Sequence, residues 1–348
     1  MPRLFSLGLT ALSLLSPALG YLKCTETLPT VDVHTLYSFG NGTWAENLAI
    51  RANGDILVSR LDVPEVLLLD PLGVRDPITI ASWDADTYMG CLGISETTTD
   101  VFYVITSSFN NESFVRTSGV NSIWEINLSA FSFIGPLHKI VTKPTVKKLV
   151  DVTTSDFLNG LTTLSDTAIL AGDAYNGWVY YIDTTTGAYH IAVNDEKMKF
   201  DSIPNPPTNL GVNGIKVHNG YLYWSNTAVG TLNRIQISES GVPSGESEVV
   251  VDNVPKADDF IFRSDNTIFM AQNQMDELSV FFPDWSDAEV LAGSNISTTL
   301  AGVSAAKFGR LPVNEHILYL TTSGAEGKPI NGSVTVPGTL SWIDTQLI

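Results

Sequence analysis

The chain has 348 residues, of which 44% are hydrophobic, and a formal net charge of −18 from 19 basic and 37 acidic side chains. So acidic a chain repels nucleic acid and anionic membrane surfaces, which argues against both as partners. It is long enough to build a large core, and no low-complexity or charged block marks a linker, so we expect a single domain.

The first twenty residues have the layout of a secretory signal peptide. Arg3 precedes an apolar run from Leu4 to Leu15, and Ala18-Leu19-Gly20 supplies the small residues of a cleavage site. The apolar run is well short of the ~20 residues that span a bilayer, which disfavours a membrane anchor. We expect cleavage after Gly20, a mature domain over 21–348, and a location outside the cell or in the secretory pathway.

Sequons and cysteines agree with export. Five Asn-x-Ser/Thr sequons are candidate glycosylation sites: Asn41, Asn111, Asn127, Asn295 and Asn331. The chain has two cysteines, Cys24 and Cys91, and an oxidising compartment favours a disulfide bond between them over two buried thiols. In the chain-entropy model, closing that loop would stabilise the fold by about 4 kcal/mol.

A repeated pattern of short β-rich segments occupies the rest of the chain. Each unit is an apolar strand, a polar turn and a second apolar strand with a polar end, and no segment keeps a helical period. The six units begin at Ala45, Met89, Leu158, Val212, Ala257 and Ala301. Modules of about 45 residues with four short strands are typical of propeller blades, so the pattern predicts an all-β, six-bladed β-propeller.

The last unit lacks a fourth strand of its own, because the chain ends soon after the Gly338–Asp344 segment. The segment Val31–Phe39, before the first unit, can supply that strand. Pairing the two chain ends in this way closes the ring and removes free sheet edges.

The repeat predicts two rings of residues at the top face of the propeller, where first strands begin and second strands end. The inner ring consists of Glu46, Gly90, Asn159, Asn213, Asp258 and Gly302. The wider ring consists of Arg60, Ser108, Asp173, Asn226, Asn273 and Ser323. Such residues are also common in turns, but four oxygen-bearing side chains at equivalent places favour a binding site.

Two long connections are expected at the same face. Phe109–Asn121, with Phe114 and Arg116, and Asp195–Gly211, with Met198 and Phe200, account for much of the two longest spacings between units, so they could form a lid over the channel. Aromatic residues flank the same strand ends, as substrate contacts or as packing between blades. They are Trp44, Tyr88, Trp178, Trp224 and Phe260.

Several other chemistries lack their motifs. The sequence has no G-x-S-x-G elbow and no glycine-rich phosphate loop after a strand. Most of the five histidines fall on outer strands or bottom turns, so no histidine dyad or metal cluster is expected; they are His34, His138, His190, His218 and His316.

The segments AENLAI, NGL, VNGI and DD resemble the senescence-marker/gluconolactonase superfamily of six-bladed propellers. The resemblance implies that Glu46, Asn159, Asn213 and Asp258 hold one divalent metal, and oxygen ligands suit Ca²⁺ or another hard cation. The implied activity is that of a metal-dependent lactonase or esterase, in which Asp258 or Glu46 acts beside the cation. The chain departs from the family pattern at Asn47-Leu48 and at Asp259.

Signal peptide, sequons, length and blade spacing are more similar to those of secreted fungal propellers that act as hetero-Diels–Alderases. That resemblance implies a pericyclase that joins a tropolone-type o-quinone methide to a humulene-type terpene and requires no cofactor. Such an enzyme needs an apolar pocket for two hydrophobic small molecules and a few donors for the heterodiene carbonyl.

Candidate roles follow from this resemblance. The candidate catalytic residues are Asn213, Arg116 and Asp258. The candidate substrate-binding residues are Glu46, Tyr88, Phe109, Asn159, Trp178, Trp224, Phe260 and Asn273. A secreted binding propeller without enzymatic activity is the remaining alternative.

Overall fold

The structure is a computed structural model that describes residues 31–110, 113, 115–135, 139–286 and 288–348. The signal peptide, Cys24, Asn111, Phe114 and His138 lie outside the described residues, so the predictions on them stay predictions. Over the described part, six four-stranded antiparallel sheets form a ring, with one further two-stranded sheet. The fold is therefore a six-bladed β-propeller, which confirms the interpretation of the repeat.

Strands β2 to β15 form the first three blades. Blade 1 consists of β2 (Ala45–Ile50), β3 (Ile56–Arg60), β4 (Glu65–Leu69) and β5 (Ile78–Ser82). Blade 2 consists of β6 (Gly90–Thr98), β7 (Val101–Ser107), β8 (Asn121–Asn127) and β11 (Thr145–Asp151), with a hairpin of β9 (Ser132–Ile134) and β10 (Lys139–Thr142) between its last two strands. Blade 3 consists of β12 (Leu158–Ser165), β13 (Ala168–Asp173), β14 (Trp178–Asp183) and β15 (Tyr189–Asn194).

The remaining strands form the other three blades. Blade 4 consists of β16 (Val212–His218), β17 (Tyr221–Asn226), β18 (Thr231–Ile237) and β19 (Pro243–Val251). Blade 5 consists of β20 (Ala257–Phe262), β21 (Ile268–Gln272), β22 (Glu277–Phe281) and β23 (Glu289–Gly293). Blade 6 consists of β24 (Val303–Phe308), β25 (Ile317–Thr322), β26 (Gly338–Asp344) and, from the other chain end, β1 (His34–Gly40). Short 3₁₀ helices cover Glu196–Met198, Phe200–Ser202 and Asn273–Met275.

The two chain ends close the ring as the sequence predicts. Strand β1 pairs antiparallel with β26, with His34 opposite Trp342 and Gly40 opposite Gly338. The rings of His34 and Trp342 stack with their centroids 4.2 Å apart. Blade 6 thereby obtains its fourth strand from the N-terminal side, so its outer edge is not left open within the domain.

The hydrophobic core lies mainly between neighbouring blades. Six clusters of buried apolar residues each join one blade to the next around the ring, including the junction of blades 6 and 1. Second strands such as β13 are buried along their whole length, whereas β11 and β19 are mostly exposed. This is why second strands are rich in Ile, Leu and Ala, while outer strands carry Lys, Glu and Thr.

Features related to export are only partly visible in the structure. Cys91 is buried and forms no disulfide bond with a described residue, so a bond to Cys24 stays a prediction. Asn41, Asn295 and Asn331 are exposed and Asn127 is half-buried, so glycosylation at them is sterically open and likewise a prediction. Among the described residues, no helix is long and apolar enough to cross a membrane.

Candidate functional site

A cavity of about 50 Å³ lies at the top of the central channel, where the first strands begin. We call it the deep cavity. It is lined by Trp44, Glu46, Leu61, Phe109, Phe157, Asn159, Leu210, Asn213, Thr227, Lys256, Asp258, Asn273 and Gln274. Five of these thirteen residues are apolar and eight are polar or charged, so many polar groups converge on a cavity with partly aromatic walls.

The inner ring converges on this cavity as the repeat predicts. Glu46, Asn159, Asn213 and Asp258 all line it, and each is 7% exposed or less. Asn273 of the wider ring also lines it and donates through Nδ2 to the carbonyl of Gly302 at 3.1 Å. Four blades and the end of a second strand therefore contribute to one site.

Local backbone features bring the ring residues together. The register of β12 slips between Leu158 and Leu161, and β16 and β20 show the same slip at their equivalent positions. A Cβ at Gly160 would lie 2.2 Å from the carbonyl oxygen of Asn213. Glycine after the ring asparagine therefore lets neighbouring first strands approach closely, which explains the Asn-Gly pairs of the sequence.

Most of the wider ring has structural roles instead. Asp173 accepts hydrogen bonds from the backbone N–H groups of Asp156 and Phe157, at 2.8 and 3.1 Å. Asn226 donates from Nδ2 to the carbonyls of Lys197 and Lys199 and so holds the 195–211 loop. Arg60, Ser108 and Ser323 do not line the deep cavity either, and Arg60 pairs with acidic neighbours in its own blade. Their polarity is turn and loop chemistry.

Two buried carboxyl groups dominate the electrostatics of the deep cavity. Burial raises the pKa of Glu46, although the indole Nε1 of Trp44 donates to Oε2 at 2.6 Å and opposes the shift. Burial raises the pKa of Asp258 as well, and so do the nearby charges of Glu46 and Asp259. Two bare carboxylates are therefore unfavourable here, and a proton or a cation stabilises the pair.

The neighbouring acid, Asp259, has a basic partner, unlike Glu46 and Asp258. Lys216 forms a buried ion pair with its Oδ1, and Asn47 donates from Nδ2 to its Oδ2 at 3.1 Å. Asn47 and Asp259 are the positions where the sequence departs from the gluconolactonase pattern. The departures thus add a hydrogen-bonded ion pair to the channel, and the charge of Asp259 also contributes to the raised pKa of Asp258.

The donor set of the ring fits a hard cation in chemical type. Glu46 and Asp258 supply carboxylate oxygens, Asn159 and Asn213 supply amide oxygens, and no described lysine or arginine forms an ion pair with either carboxylate. Among the described residues, no group of three or more His, Cys, Asp or Glu side chains could hold a metal. A cation at this place would therefore depend on the two amides.

An outer groove of about 170 Å³ adjoins the deep cavity and shares four of its lining residues. The shared residues are Phe109, Phe157, Leu210 and Gln274, and the groove adds Arg116, Tyr175, Thr208 and Asn209. Both long loops contribute to it, which agrees with their expected place at the top face. Two adjoining spaces therefore lie side by side at the top of the propeller.

Arg116 lies in the outer groove and not in the deep cavity. Its Nη2 is 3.3 Å from Oδ2 of Asp156, and its guanidinium carbon lies 3.4 Å from the ring centroid of Tyr175. Phe200 packs on the same tyrosine, with centroids 5.3 Å apart. Met198, expected on the lid, is instead fully buried between blades 3 and 4, because the 3₁₀ turn that contains it folds back on the core.

The structure does not bring four of the predicted aromatic residues into either space. Tyr88 bonds Ser122 in blade 2 at 2.8 Å, and Trp178 packs edge-on against Tyr180. Trp224 and Phe260 are fully buried in the interblade clusters. Their strand positions point these side chains between blades, as the packing interpretation expected. Trp44 and Phe109 do line the deep cavity, where Phe109 stacks on Phe157 at 4.5 Å.

Sequence reasoning missed several lining residues, among them Phe157 and Lys256. A signal for them exists in the repeat. Trp44 and Phe157 each stand two residues before a ring residue, and side chains two apart in an extended chain share one side. Lys256 holds the same position with a left-handed backbone, so this rule does not place its side chain. The strand-opening positions alone include neither Phe157 nor Lys256.

Comparison with curated proteins supports a relation over most of the chain. No protein-family model matches it. The chain is 26% identical to a protein of Sarocladium schorii named "Putative hetero-Diels-Alderase", over 92% of the chain and 84% of that protein. A relative from a Phoma species, also named as a putative hetero-Diels-Alderase, is 26% identical, over 85% of the chain and 90% of that protein. In sequence, the chain is similar to proteins named as putative hetero-Diels–Alderases.

Solved structures share the fold of this chain at low sequence identity. A luciferin-regenerating enzyme superposes with a TM-score of 0.64 and 13% identity, over 91% of this chain and 96% of that one. A gluconolactonase from Xanthomonas campestris superposes with a TM-score of 0.59 and 13% identity, over 90% and 89% of the two chains. At such identity these likenesses establish the propeller fold alone.

Proposed function

We propose that this chain is a pericyclase of hetero-Diels–Alder type, acting in the deep cavity and the outer groove. The observation that carries the proposal is the pair of adjoining spaces with aromatic walls, to which both long loops contribute lining residues. A cycloaddition joins two molecules, and two adjoining compartments could hold one molecule each. The similarity to proteins named as hetero-Diels–Alderases supports the same reaction class.

The proposed substrates are a tropolone-type o-quinone methide and a humulene-type terpene. The methide carbon bonds one alkene carbon, and the carbonyl oxygen bonds the other. Two π bonds of the heterodiene and one of the alkene become two σ bonds and one ring π bond. No atom is lost and no oxidant is consumed. The protein therefore has to orient the partners and stabilise the charge that grows on the carbonyl oxygen.

The lining of the two spaces suggests which substrate binds in each of them. The deep cavity contains the polar ring, so it suits the oxygen-bearing heterodiene. The outer groove is bounded by Phe109, Phe157, Leu210 and Tyr175, so it suits the hydrocarbon. Of the candidate donors, Asn213 lies in the deep cavity, whereas Arg116 is engaged with Asp156. Asp258 contacts the Asn213 and Asn273 amides and so orients them.

A direct assay tests this function. A quinone methide generated from a stable precursor is incubated with humulene, with and without the purified mature protein. We expect faster adduct formation and a single enantiomer, because a chiral pocket selects one pose. Phe157→Ala should lower the enantiomeric excess, while Phe133→Ala, on the outer hairpin, should not. Racemic adduct at the uncatalysed rate would refute the proposal.

A metal-dependent lactone hydrolase is the second candidate. It is favoured by the convergence of Glu46, Asn159, Asn213 and Asp258, together with the fold shared with the Xanthomonas gluconolactonase. These four residues would hold the cation, which would polarise a lactone carbonyl and a water molecule. Trp44 orients Glu46 through its indole N–H, and the apolar wall would receive the ring of the lactone.

Chelation separates the two candidates. A hydrolase of this kind should lose lactone hydrolysis in chelator and regain it with Ca²⁺, and Asp258→Ala should bind no metal. Full cycloaddition activity in a metal-free preparation, without lactone hydrolysis, would exclude the metal-dependent hydrolase and would be consistent with the pericyclase.

A further inference from the structure

Lys256 is the one basic side chain among the residues that line the deep cavity. It stands immediately before β20, in blade 5. No hydrogen bond or ion pair joins its ammonium group to a described residue. Glu46 and Asp258 line the same cavity but do not pair with it. The ammonium group is therefore available to a molecule that enters the cavity.

The backbone of Lys256 is held in an unusual conformation. Its φ is 59°, in the left-handed region that side-chain-bearing residues rarely adopt. Gln272 donates from Nε2 to the carbonyl of Pro255 at 2.8 Å, and the N–H of Ala257 donates to the carbonyl of Val254 at 3.2 Å. Surrounding bonds thus enforce a costly conformation, a pattern that concentrates at functional sites.

Lys256 also breaks the pattern of its equivalents in other blades. Trp44 and Phe157 occupy the same place, two residues before a ring residue, and both present aromatic rings to the deep cavity. Blade 5 presents an ammonium group instead. The deep cavity therefore contains a single positive charge beside the carboxyl groups of Glu46 and Asp258. Because neither carboxyl group is paired with it, an electron-rich substrate atom can accept its hydrogen bond.

We propose that Lys256 is a catalytic residue whose ammonium group donates a hydrogen bond to the carbonyl oxygen of the heterodiene. This inference rests on the proposed function and names the residue that polarises the heterodiene carbonyl. During bond formation that oxygen gains negative charge before it bonds the alkene carbon, and the Lys256 proton stays on nitrogen throughout. The heterodiene must accordingly carry an electron-rich oxygen conjugated with its reactive carbon.

Lys256 is better suited to this role than the donors expected from the sequence. Asn213 already donates from Nδ2 to Oγ1 of Thr227 at 3.0 Å, and Arg116 is paired with Asp156 outside the deep cavity. Hydrogen bonds from a charged donor are roughly twice as strong as those from a neutral amide. The free ammonium group therefore offers the strongest unengaged donor at the site.

The test compares Lys256→Met and Lys256→Arg with Lys143→Met as the control for the loss of one positive charge. Lys143 is exposed on the turn between β10 and β11 and does not line the deep cavity. We expect Lys256→Met to lower kcat by roughly 10²–10³-fold, the usual loss for one oxyanion donor. KM for the terpene should stay within about twofold, Lys256→Arg should restore part of kcat, and the control should match wild type.

Binding of tropolone, a stable carbonyl compound, separates this inference from the proposed function. The indole of Trp44 lines the deep cavity, so quenching of its fluorescence reports occupancy. If wild type catalyses but Lys256→Met keeps its kcat, the role of Lys256 is overturned and the pericyclase survives. If wild type does not catalyse the reaction, the proposed function fails. The contact between Lys256 and a carbonyl oxygen is then tested by tropolone binding alone: we expect Lys256→Met to weaken that binding at least tenfold. Equal binding by wild type and Lys256→Met would overturn the contact.

Discussion

A half-buried lysine at the bottom of the central channel allows a quantitative prediction about stability. Lys307, on β24, lines a cavity of about 340 Å³ together with the hydroxyl groups of Ser95, Thr162 and Thr163. Burial and the nearby charge of Lys216 lower the pKa of Lys307 to about 8, and Asp259 opposes the shift in part. Because Asp259 is already paired with Lys216, Lys307 has no counterion of its own among the described residues.

The magnitude follows from the pKa difference between the folded and unfolded states. An unfolded lysine titrates near ~10.4, so the depression is about 2.4 pKa units, or about 3 kcal/mol at 1.36 kcal/mol per unit. Lys307 is only half-buried, so solvent screening reduces the effect to about 1–3 kcal/mol. Lys307→Met removes the charge and keeps the aliphatic chain, and at pH 7 it should raise the free energy of unfolding by that amount.

The sign of the pH dependence is fixed by proton binding. Between about pH 8 and ~10.4 the unfolded state binds more protons at this site than the folded state, so stability rises with pH there. Below pH 8 both states are charged and the full penalty is present. The advantage of Lys307→Met should therefore be largest near pH 7 and should vanish towards ~pH 10.4. The facing charges are Lys216 and Asp259 in the channel, and the pair Glu96–Arg310 at the cavity mouth.

Urea unfolding of wild type and Lys307→Met at several pH values between 7 and 10 measures this effect. Lys143 is exposed on the turn between β10 and β11. The variant Lys143→Met therefore controls for the loss of one positive charge from an acidic protein. A Lys307→Met protein that is less stable than wild type at pH 7, or a stability difference that does not change with pH, would refute the reasoning.

Three further predictions concern the ring, the metal and the disulfide bond. Gly160→Ala should cost about 1–3 kcal/mol of stability and impair substrate binding, since its Cβ would meet the Asn213 carbonyl oxygen at 2.2 Å; unchanged melting and unchanged kinetics would contradict the close packing. Ca²⁺ titration by calorimetry should show one site that Asp258→Ala abolishes if the second candidate function is right, and no binding heat if the pericyclase works without a metal. If Cys24 and Cys91 form the predicted disulfide bond, the protein made in a secretory host and denatured without reductant should show no free thiol; two titratable thiols would contradict the prediction.

The sequence by itself determined the fold and the place of the site. Blade spacing and strand alternation predicted six blades, and the Val31–Phe39 segment was recognised as the closing strand that pairs with β26. The strand-opening positions predicted that Glu46, Asn159, Asn213 and Asp258 would meet. These inferences succeed because a propeller repeats one local geometry, so equivalent positions in the repeat become neighbours around the axis.

Only the tertiary structure decided which neighbouring side chains enter the site. Trp224 and Phe260 flank the right strand ends, yet blade packing buries them in interblade clusters. Lys256 lines the deep cavity from a turn with a left-handed backbone, next to which Gln272 of the following strand bonds the carbonyl of Pro255. Asp259 lies next to Asp258 in sequence but is neutralised by Lys216 from the next blade. Side-chain direction and charge pairing depend on contacts between blades, and no pattern within one blade contains that information.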